Sequence, residues 1–261
     1  MGGRNDETRR ILSGVAGRAQ RYAKYVFRVF ITTLHPDKFS IKSFVMNCLV
    51  VAATAIEVRP FLDLLGDQSM SAKIPATDVL ISGIVLTATT YSLSRQLRIK
   101  RPDLVIQAGV GGCFDPAIPL GSVLAVKQEA IADQSVIELN QLRTLFDLQL
   151  VPQDQYPYQK GWLVNKSEVL KKTRLKKVKG ISVNEITTSK QKVRFYQETF
   201  QPVVESMEGA ALHYVCLMEK IPFIQLRAVS NYIAERNKQN WNMKESIGNL
   251  NQALIKLLAS L

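Results

Sequence analysis

Two glutamates and one asparagine stand where side chains can meet a small molecule. Glu57 follows the apolar run Met46-Asn47-Cys48-Leu49-Val50-Val51-Ala52-Ala53, in Ala55-Ile56-Glu57-Val58. Glu208 opens a helical segment in Ser206-Met207-Glu208-Gly209-Ala210-Ala211, and Ser230 and Asn231 close the apolar strand that starts at Ile221. In open α/β sheets, ligands bind beyond the carboxyl ends of the strands. A carboxylate at a helix mouth and a carboxamide just past a strand are therefore placed to read a polyhydroxylated small molecule. An ionised carboxylate accepts from two neighbouring hydroxyls more strongly than a neutral group does. Each residue also has a plainer reading: both glutamates can serve the helix dipole, and Met207 can be core or a soft surface against a sugar ring.

Gly109-Val110-Gly111-Gly112 follows the apolar strand Leu104-Val105-Ile106-Gln107-Ala108. Glycines there let a ligand approach the backbone closely and permit positive φ, which makes the cluster a pocket wall or an ordinary turn. It is not a dinucleotide fingerprint, because Cys113-Phe114-Asp115-Pro116 leads into a turn rather than a helix. It is not a phosphate loop either, since no Gly-Lys-Ser/Thr follows.

Positioning these groups falls to alternating apolar runs and helical periodicities in the rhythm of an α/β sheet. Strands are expected near 47 to 53, 79 to 83, 103 to 108, 122 to 127, 181 to 184 and 221 to 229. Helices are expected near 57 to 65, 87 to 99, 190 to 199, 208 to 219 and 243 to 259. The last places Ile247, Leu250, Ala253, Leu254, Leu257 and Leu258 on one face. The stretch Gln134 to Lys160 reads as an irregular insertion and a lid. Asp133 and Arg227 are expected to support the pocket or the fold, Arg227 by pairing with an acid, and Asn184 to Ser189 to shape part of the pocket. His213 reads as a packed histidine.

Length and a 46% hydrophobic content over 261 residues allow one globular domain. Cys48, Cys113 and Cys216 lack any CxxC or His-rich spacing, which points to reduced thiols and away from a structural zinc. Neither a metal nor a cofactor is expected. No apolar run reaches the length of a membrane span, so a cytoplasmic protein is expected. The net charge of +12 lies in two segments. Residues 1 to 45 carry nine Lys+Arg against three acids, and Lys166 to Lys179 carry seven against one. The rest is balanced, and the basic runs hold few aromatics, so a nucleic-acid partner is not expected. Lys171 to Lys179 reads as a solvated helix and turn. Residues 1 to 45 form a basic extension ahead of a domain spanning 46 to 261. Within it, Tyr22 to Leu34 has amphipathic helical spacing, open to three readings: a membrane-surface or targeting helix, a partner-binding helix, or an upstream extension irrelevant to activity.

The acid after the first strand, the glycines after a middle strand, and Met207-Glu208 with Arg227-Ala228-Val229-Ser230-Asn231, taken in this order, resemble the nucleoside phosphorylase and nucleosidase superfamily. The resemblance covers roughly Met46 to Leu261. It implies a three-layer α/β fold, a central mixed twisted sheet flanked by helices, and a homodimer binding a small nucleoside and water. Within the nucleosidase branch it implies that Glu57 activates water, that Met207 and Glu208 hold the ribose hydroxyls, and that Asn231 contacts purine N7. Gly109, Gly111, Gly112 and Ser230 would line the pocket. N-glycosidic cleavage through an oxocarbenium-like state needs those roles: an activated water, a held sugar and a donor to the leaving base. Asn231 presents amide donors to the two acceptors of a 6-oxopurine edge, N7 and O6, whereas a protonated Asp there would match adenine. Ser230-Asn231-Tyr232, Glu235-Arg236-Asn237 and Trp241 are similar to the futalosine hydrolases, which release hypoxanthine in menaquinone synthesis. The alternatives are a methylthioadenosine/S-adenosylhomocysteine nucleosidase and a purine nucleoside phosphorylase, for which Arg59 and Arg95 would supply phosphate contacts. Tyr232, Arg236 and the Gln134 to Lys160 stretch would meet a 5′ substituent.

Overall fold

The computed structural model describes residues 46–234 and 237–261. The amphipathic spacing at Tyr22 to Leu34, and Glu235 and Arg236, lie outside the described residues. Eleven strands are described: β1 (Asn47–Ala52), β2 (Ala76–Ile81), β3 (Leu104–Cys113), β4 (Val123–Ile131), β5 (Ser135–Glu138), β6 (Gln141–Thr144), β7 (Tyr158–Gln159), β8 (Trp162–Val164), β9 (Lys176–Ser182), β10 (Val204–Ser206) and β11 (Phe223–Tyr232). The helices are α1 (Arg59–Gly66), α2 (Gln68–Ser71), α3 (Leu86–Ile99), α4 (Glu168–Lys172), α5 (Lys190–Phe200), α6 (Gly209–Met218) and α7 (Met243–Leu258).

Period-two alternation in β1 builds the layers. Cys48, Val50 and Ala52 pack with Val58 and Phe61 beside α1 and with Leu250, Leu254 and Leu258 of α7. Leu49 and Val51 point the other way, onto Leu93 and Leu97 of α3 and Leu212, Val215 and Cys216 of α6. Each fully buried aliphatic or phenyl side chain contributes about 1.5–3 kcal/mol by leaving water. The sheet is held from both faces in the expected three layers.

The sheet also closes on itself. β3 pairs in parallel with β11, β11 antiparallel with β4, β4 in parallel with β9, β9 in parallel with β10, and β10 antiparallel with β3. Inside this five-strand ring, one end is apolar, with Cys113, Leu124, Val126, Val178, Val204 and Val229 packed together. The other end carries Gln107, Glu129, Ser182, Gln225 and Arg227, all at most 1% exposed.

On the edge of β3 away from β11, the neighbours change along its length. β1 pairs with Leu104 to Gln107, and β10 pairs with Gly112 and Cys113. Among the described residues, 108 to 111 have no strand partner on that edge.

The expected boundaries need correction in several places. Gly109, Gly111 and Gly112 lie within β3 rather than in a loop after it, and none of them has a positive φ. The strand expected at 181 to 184 starts earlier, so Lys176, Lys177 and Lys179 belong to β9 and not to a solvated helix and turn. Val178 and Ile181 are both buried there, on opposite faces of the strand, and strand pairing with β4 outweighs the polar composition. β11 runs to Tyr232, past Asn231. The stretch read as an irregular lid contains the β5–β6 hairpin, and Phe146 packs edge-on against Tyr158 with ring centroids 5.1 Å apart.

Candidate active site

Glu57 sits in the turn before α1, 8% exposed. Its Oε2 accepts from Thr54 N at 3.0 Å and Thr54 Oγ1 at 3.1 Å, and its Oε1 accepts from Val110 N at 3.1 Å. Asn251 of α7 fixes the turn from behind, donating to Glu57 O at 2.8 Å and accepting from Phe61 N at 3.0 Å. The Val110 N–H is a ladder group on the stretch of β3 left without a strand partner. Glu57 fills the place that a neighbouring strand would take.

Glu208 is the N-cap of α6, yet its side chain caps nothing. Ser206 Oγ accepts from Gly209 N at 3.2 Å and Ser182 Oγ from Ala210 N at 2.8 Å. Two serines thus satisfy orphan donors of the helix start, leaving the Glu208 carboxylate for other work. Its Oε2 meets Arg227 Nη1 at 3.4 Å, and its Oε1 accepts from Val85 N at 3.4 Å. Val85 has φ +75°, an outlier for a β-branched residue, at the turn that enters α3. Burial pushes the Glu208 carboxyl up, Arg227 pulls it down, and Glu57 pushes it up again.

Arg227 completes this centre. Its Nη2 donates to Gln107 Oε1 at 2.8 Å and its Nη1 to Val110 O at 3.4 Å. The Val110 peptide therefore has Glu57 on its nitrogen and Arg227 on its oxygen, with Glu208 beyond the guanidinium. Gly109 is required here, since a Cβ would collide with the Arg227 guanidinium and stand 3.1 Å from Glu57 Oε1. Gly111 is required for another reason: a Cβ would lie 2.8 Å from Glu205 O of β10.

Asn231 reaches the same strand two residues on. Ser230 is an extra residue in the β3–β11 ladder, because Val229 pairs with Gly111 and Asn231 with Gly112. This bulge re-aims the following side chain. A Cβ on Gly112 would lie 3.3 Å from Asn231 Nδ2 and 2.5 Å from Ile233 Cδ1. Asn231 is half-buried, accepts from Ser230 Oγ at 2.9 Å and donates to Tyr232 O at 3.0 Å. Met207 lies half-buried in the turn between β10 and α6.

The structure thus gathers Glu57, Glu208 and Asn231 along Gly109 to Gly112. Arg59 and Arg95 are exposed on α1 and α3, and Arg59 pairs with Asp63 at 3.0 Å. His213 is fully buried, Nδ1 on Leu163 O at 2.9 Å, and burial pushes its pKa down to about 4. Asp133 accepts from Asn184 N at 2.5 Å, and Glu205, one of the residues that sequence reasoning missed, accepts from Thr187 N at 3.2 Å. These two carboxylates anchor the loop between β9 and α5. Gln107, Gln225 and Glu129 were also missed, although a polar residue inside an apolar strand was a visible signal for Gln107 and Gln225; Glu129 ends the polar run Lys127-Gln128-Glu129 and carried no such signal. Among the described residues, no group of three or more His, Cys, Asp or Glu could hold a metal ion, and no helix is long and apolar enough to cross a membrane.

The three-layer α/β architecture agrees with what known proteins show. Residues 78–261 match the family model of the phosphorylase superfamily, and the chain belongs to that family. The chain is 26% identical over 156 residues to a futalosine hydrolase of Streptomyces coelicolor, covering 59% of this chain and 65% of that one. It is 41% identical over 56 residues to a futalosine hydrolase of Thermus thermophilus, covering 22% and 25%. The matches span less than two thirds of the length of these curated relatives. Among solved structures, a 5′-methylthioadenosine/S-adenosylhomocysteine nucleosidase from Helicobacter pylori matches with TM-score 0.68 at 18% identity, covering 84% of this chain and 100% of that one. A Helicobacter pylori futalosine hydrolase matches with TM-score 0.66 at 19% identity, covering 83% and 99%. These structural likenesses establish the fold.

Proposed function

We propose that this chain hydrolyses the N-ribosidic bond of futalosine, releasing hypoxanthine and dehypoxanthinyl futalosine. The reading rests on one observation: Glu57 accepts from the Val110 amide, Glu208 pairs with the Arg227 guanidinium that donates to the Val110 carbonyl, and Asn231 of β11 pairs with Gly112, two residues beyond Val110 on β3. In this reading Glu57 accepts a proton from water. Its Oε1 takes one hydrogen bond from Val110 and keeps a lone pair for that water. The water oxygen bonds to C1′ as the C1′–N9 bond breaks, and the bond's electron pair leaves with the base. Asn231 donates to N7 or O6 of the departing purine, and Glu208 holds the ribose hydroxyls beside Met207. Gly109, Gly111, Gly112 and Ser230 line the pocket.

The names of the two sequence relatives favour futalosine, and the neutral amide of Asn231 favours a 6-oxopurine. The function would place the protein in menaquinone synthesis, in the cytoplasm, with residues 46 to 261 as the catalytic unit. A homodimer would cover Ile56 and Ile84, which are 72% and 53% exposed beside Glu57 and Val85. The test incubates the full chain with futalosine, inosine and methylthioadenosine without phosphate and chromatographs the released base. Hypoxanthine from futalosine is expected. Adenine as the main product, or turnover that requires phosphate and yields ribose 1-phosphate, would overturn the reading.

A further inference from the structure

Behind Glu208 lies a chain of buried polar groups that reaches the far side of the ring. The Gln225 carboxamide has one orientation that satisfies all its neighbours. Its nitrogen donates to His213 Nε2 at 2.9 Å and Glu129 Oε2 at 3.2 Å, and its oxygen accepts from Arg227 Nε at 3.1 Å. Glu129 Oε1 accepts from Ser182 Oγ at 2.8 Å. Glu129, His213 and Gln225 are 0% exposed and Arg227 is 1% exposed. Gly209 at the head of α6 is required for the closure, because a Cβ there would collide with the Gln225 carboxamide and lie 2.7 Å from Glu129 Oε1.

We propose that Glu129 is a positioning residue for Glu208: through Gln225 it fixes the Arg227 guanidinium, and the guanidinium fixes the carboxylate that holds the sugar. The proposal rests on the reading of Glu208 as the ribose-binding group. Its logic is one of matched donors and acceptors. An ionised Glu129 and a neutral His213 are both acceptors and together demand the amide nitrogen, which turns the amide oxygen to Arg227 Nε. Oε1 is held by the Ser182 hydroxyl, whose own oxygen already accepts from Ala210 N, so a proton on Glu129 goes to Oε2 and puts a donor where an acceptor stood. The amide then cannot satisfy Glu129, His213 and Arg227 at once, and the guanidinium loses its backing. The groups facing Glu129 are Ser182 of β9, His213 and the Gly209 head of α6, Gln225 and Arg227 of β11, and the Leu163 strand of β8, with Glu208 beyond Arg227. Burial raises the Glu129 carboxyl to about 7, partly offset by Ser182 and Arg227. The change therefore falls near neutral pH.

The experiment measures kcat and KM for futalosine from pH 6 to 8 on the full chain. One lost hydrogen bond of ordinary strength corresponds to about 3- to 10-fold in an equilibrium constant. The KM should rise by that factor as pH falls from 8 to 6, with kcat changing less. Glu129→Gln should remove this pH dependence. Ser182→Ala removes a bond that favours the ionised form, and should move the midpoint to higher pH; it also serves if Glu129→Gln does not fold. A second readout does not depend on the substrate. The Arg227 Nε–H resonance, assigned by its loss in Arg227→Lys, should titrate near pH 7 in the wild type and stay still in Glu129→Gln. Unaltered titration of that resonance in Glu129→Gln, or an unchanged KM profile, would overturn the positioning role. An enzyme that leaves futalosine intact while the resonance titrates as expected would instead overturn the assigned substrate.

Discussion

The two ends of the strand ring are built on the same five strands and serve different purposes. At one end Leu124, Val126, Val178, Val204 and Val229 fill the interior with hydrocarbon. At the other, Gln107, Glu129, Gln225 and Arg227 replace that packing with hydrogen bonds. A buried ion pair with its partners adds little net stability over a hydrophobic filling, but losing one partner is costly. The apolar end therefore carries stability, and the polar end carries orientation.

The largest effect should come where the polar end meets the pocket. Glu57→Gln should cut futalosine turnover by about 10²–10⁴-fold, the range for a lost general base, with the fold intact by circular dichroism. Turnover within a few-fold of wild type would remove Glu57 from the chemistry. Arg227→Met should lower unfolding free energy by about 3–5 kcal/mol, since Glu208 would be left buried without its cation. Denaturant titration checks it. A change below 1 kcal/mol would mean that the polar end is not held through Arg227.

A third test separates the two buried titrating groups. The Glu129 carboxyl is raised from 4.5 to about 7, so its contribution is whole below 4.5 and is lost as pH rises toward 7. His213 is lowered from 6.5 to about 4, so its contribution is whole above 6.5 and is lost as pH falls toward 4. Between about 4.5 and 6.5 the folded chain keeps the proton on Glu129 and the unfolded chain keeps it on His213. The proton counts match, and the two slopes cancel. Glu129→Gln should expose the His213 slope, with stability rising by on the order of 2–3 kcal/mol from pH 4 to 6.5. A flat profile in that variant would contradict the buried, neutral state of His213. The smallest effect belongs to the apolar end: Val126→Ala should cost about 2 kcal/mol through lost burial and a cavity, with KM and kcat nearly unchanged. An altered KM there would show that the two ends are not separable.

Most of the layer structure was legible in the sequence because β1, β3 and α7 obey plain periodicities of two and 3.6. That Glu57, Glu208 and Asn231 stand near element ends was legible because each follows or precedes an apolar run. Ring closure was not, because β10 is three residues long and shows no period of its own. The glycines of β3 were read as admitting a ligand close to the backbone and permitting positive φ; none has a positive φ, and within the fold they supply room beside Arg227, Glu205 and Ile233. That crowding arises from residues distant in the chain. Gln225 looks like an isolated polar interruption, and Glu129 like the end of the polar run Lys127-Gln128-Glu129, until the ring brings them together.

The interruption in strand pairing between Gln107 and Gly112 gives the length of β1 a meaning beyond stability. If β1 continued beside β3 for two more residues, its carbonyl would claim the Val110 amide and displace Glu57 from it. Insertions at the Ala52 end of β1 should thus extinguish the proposed hydrolysis while making the sheet more regular, and the reach of this one strand marks how far the scaffold can be perfected before the proposed site is lost.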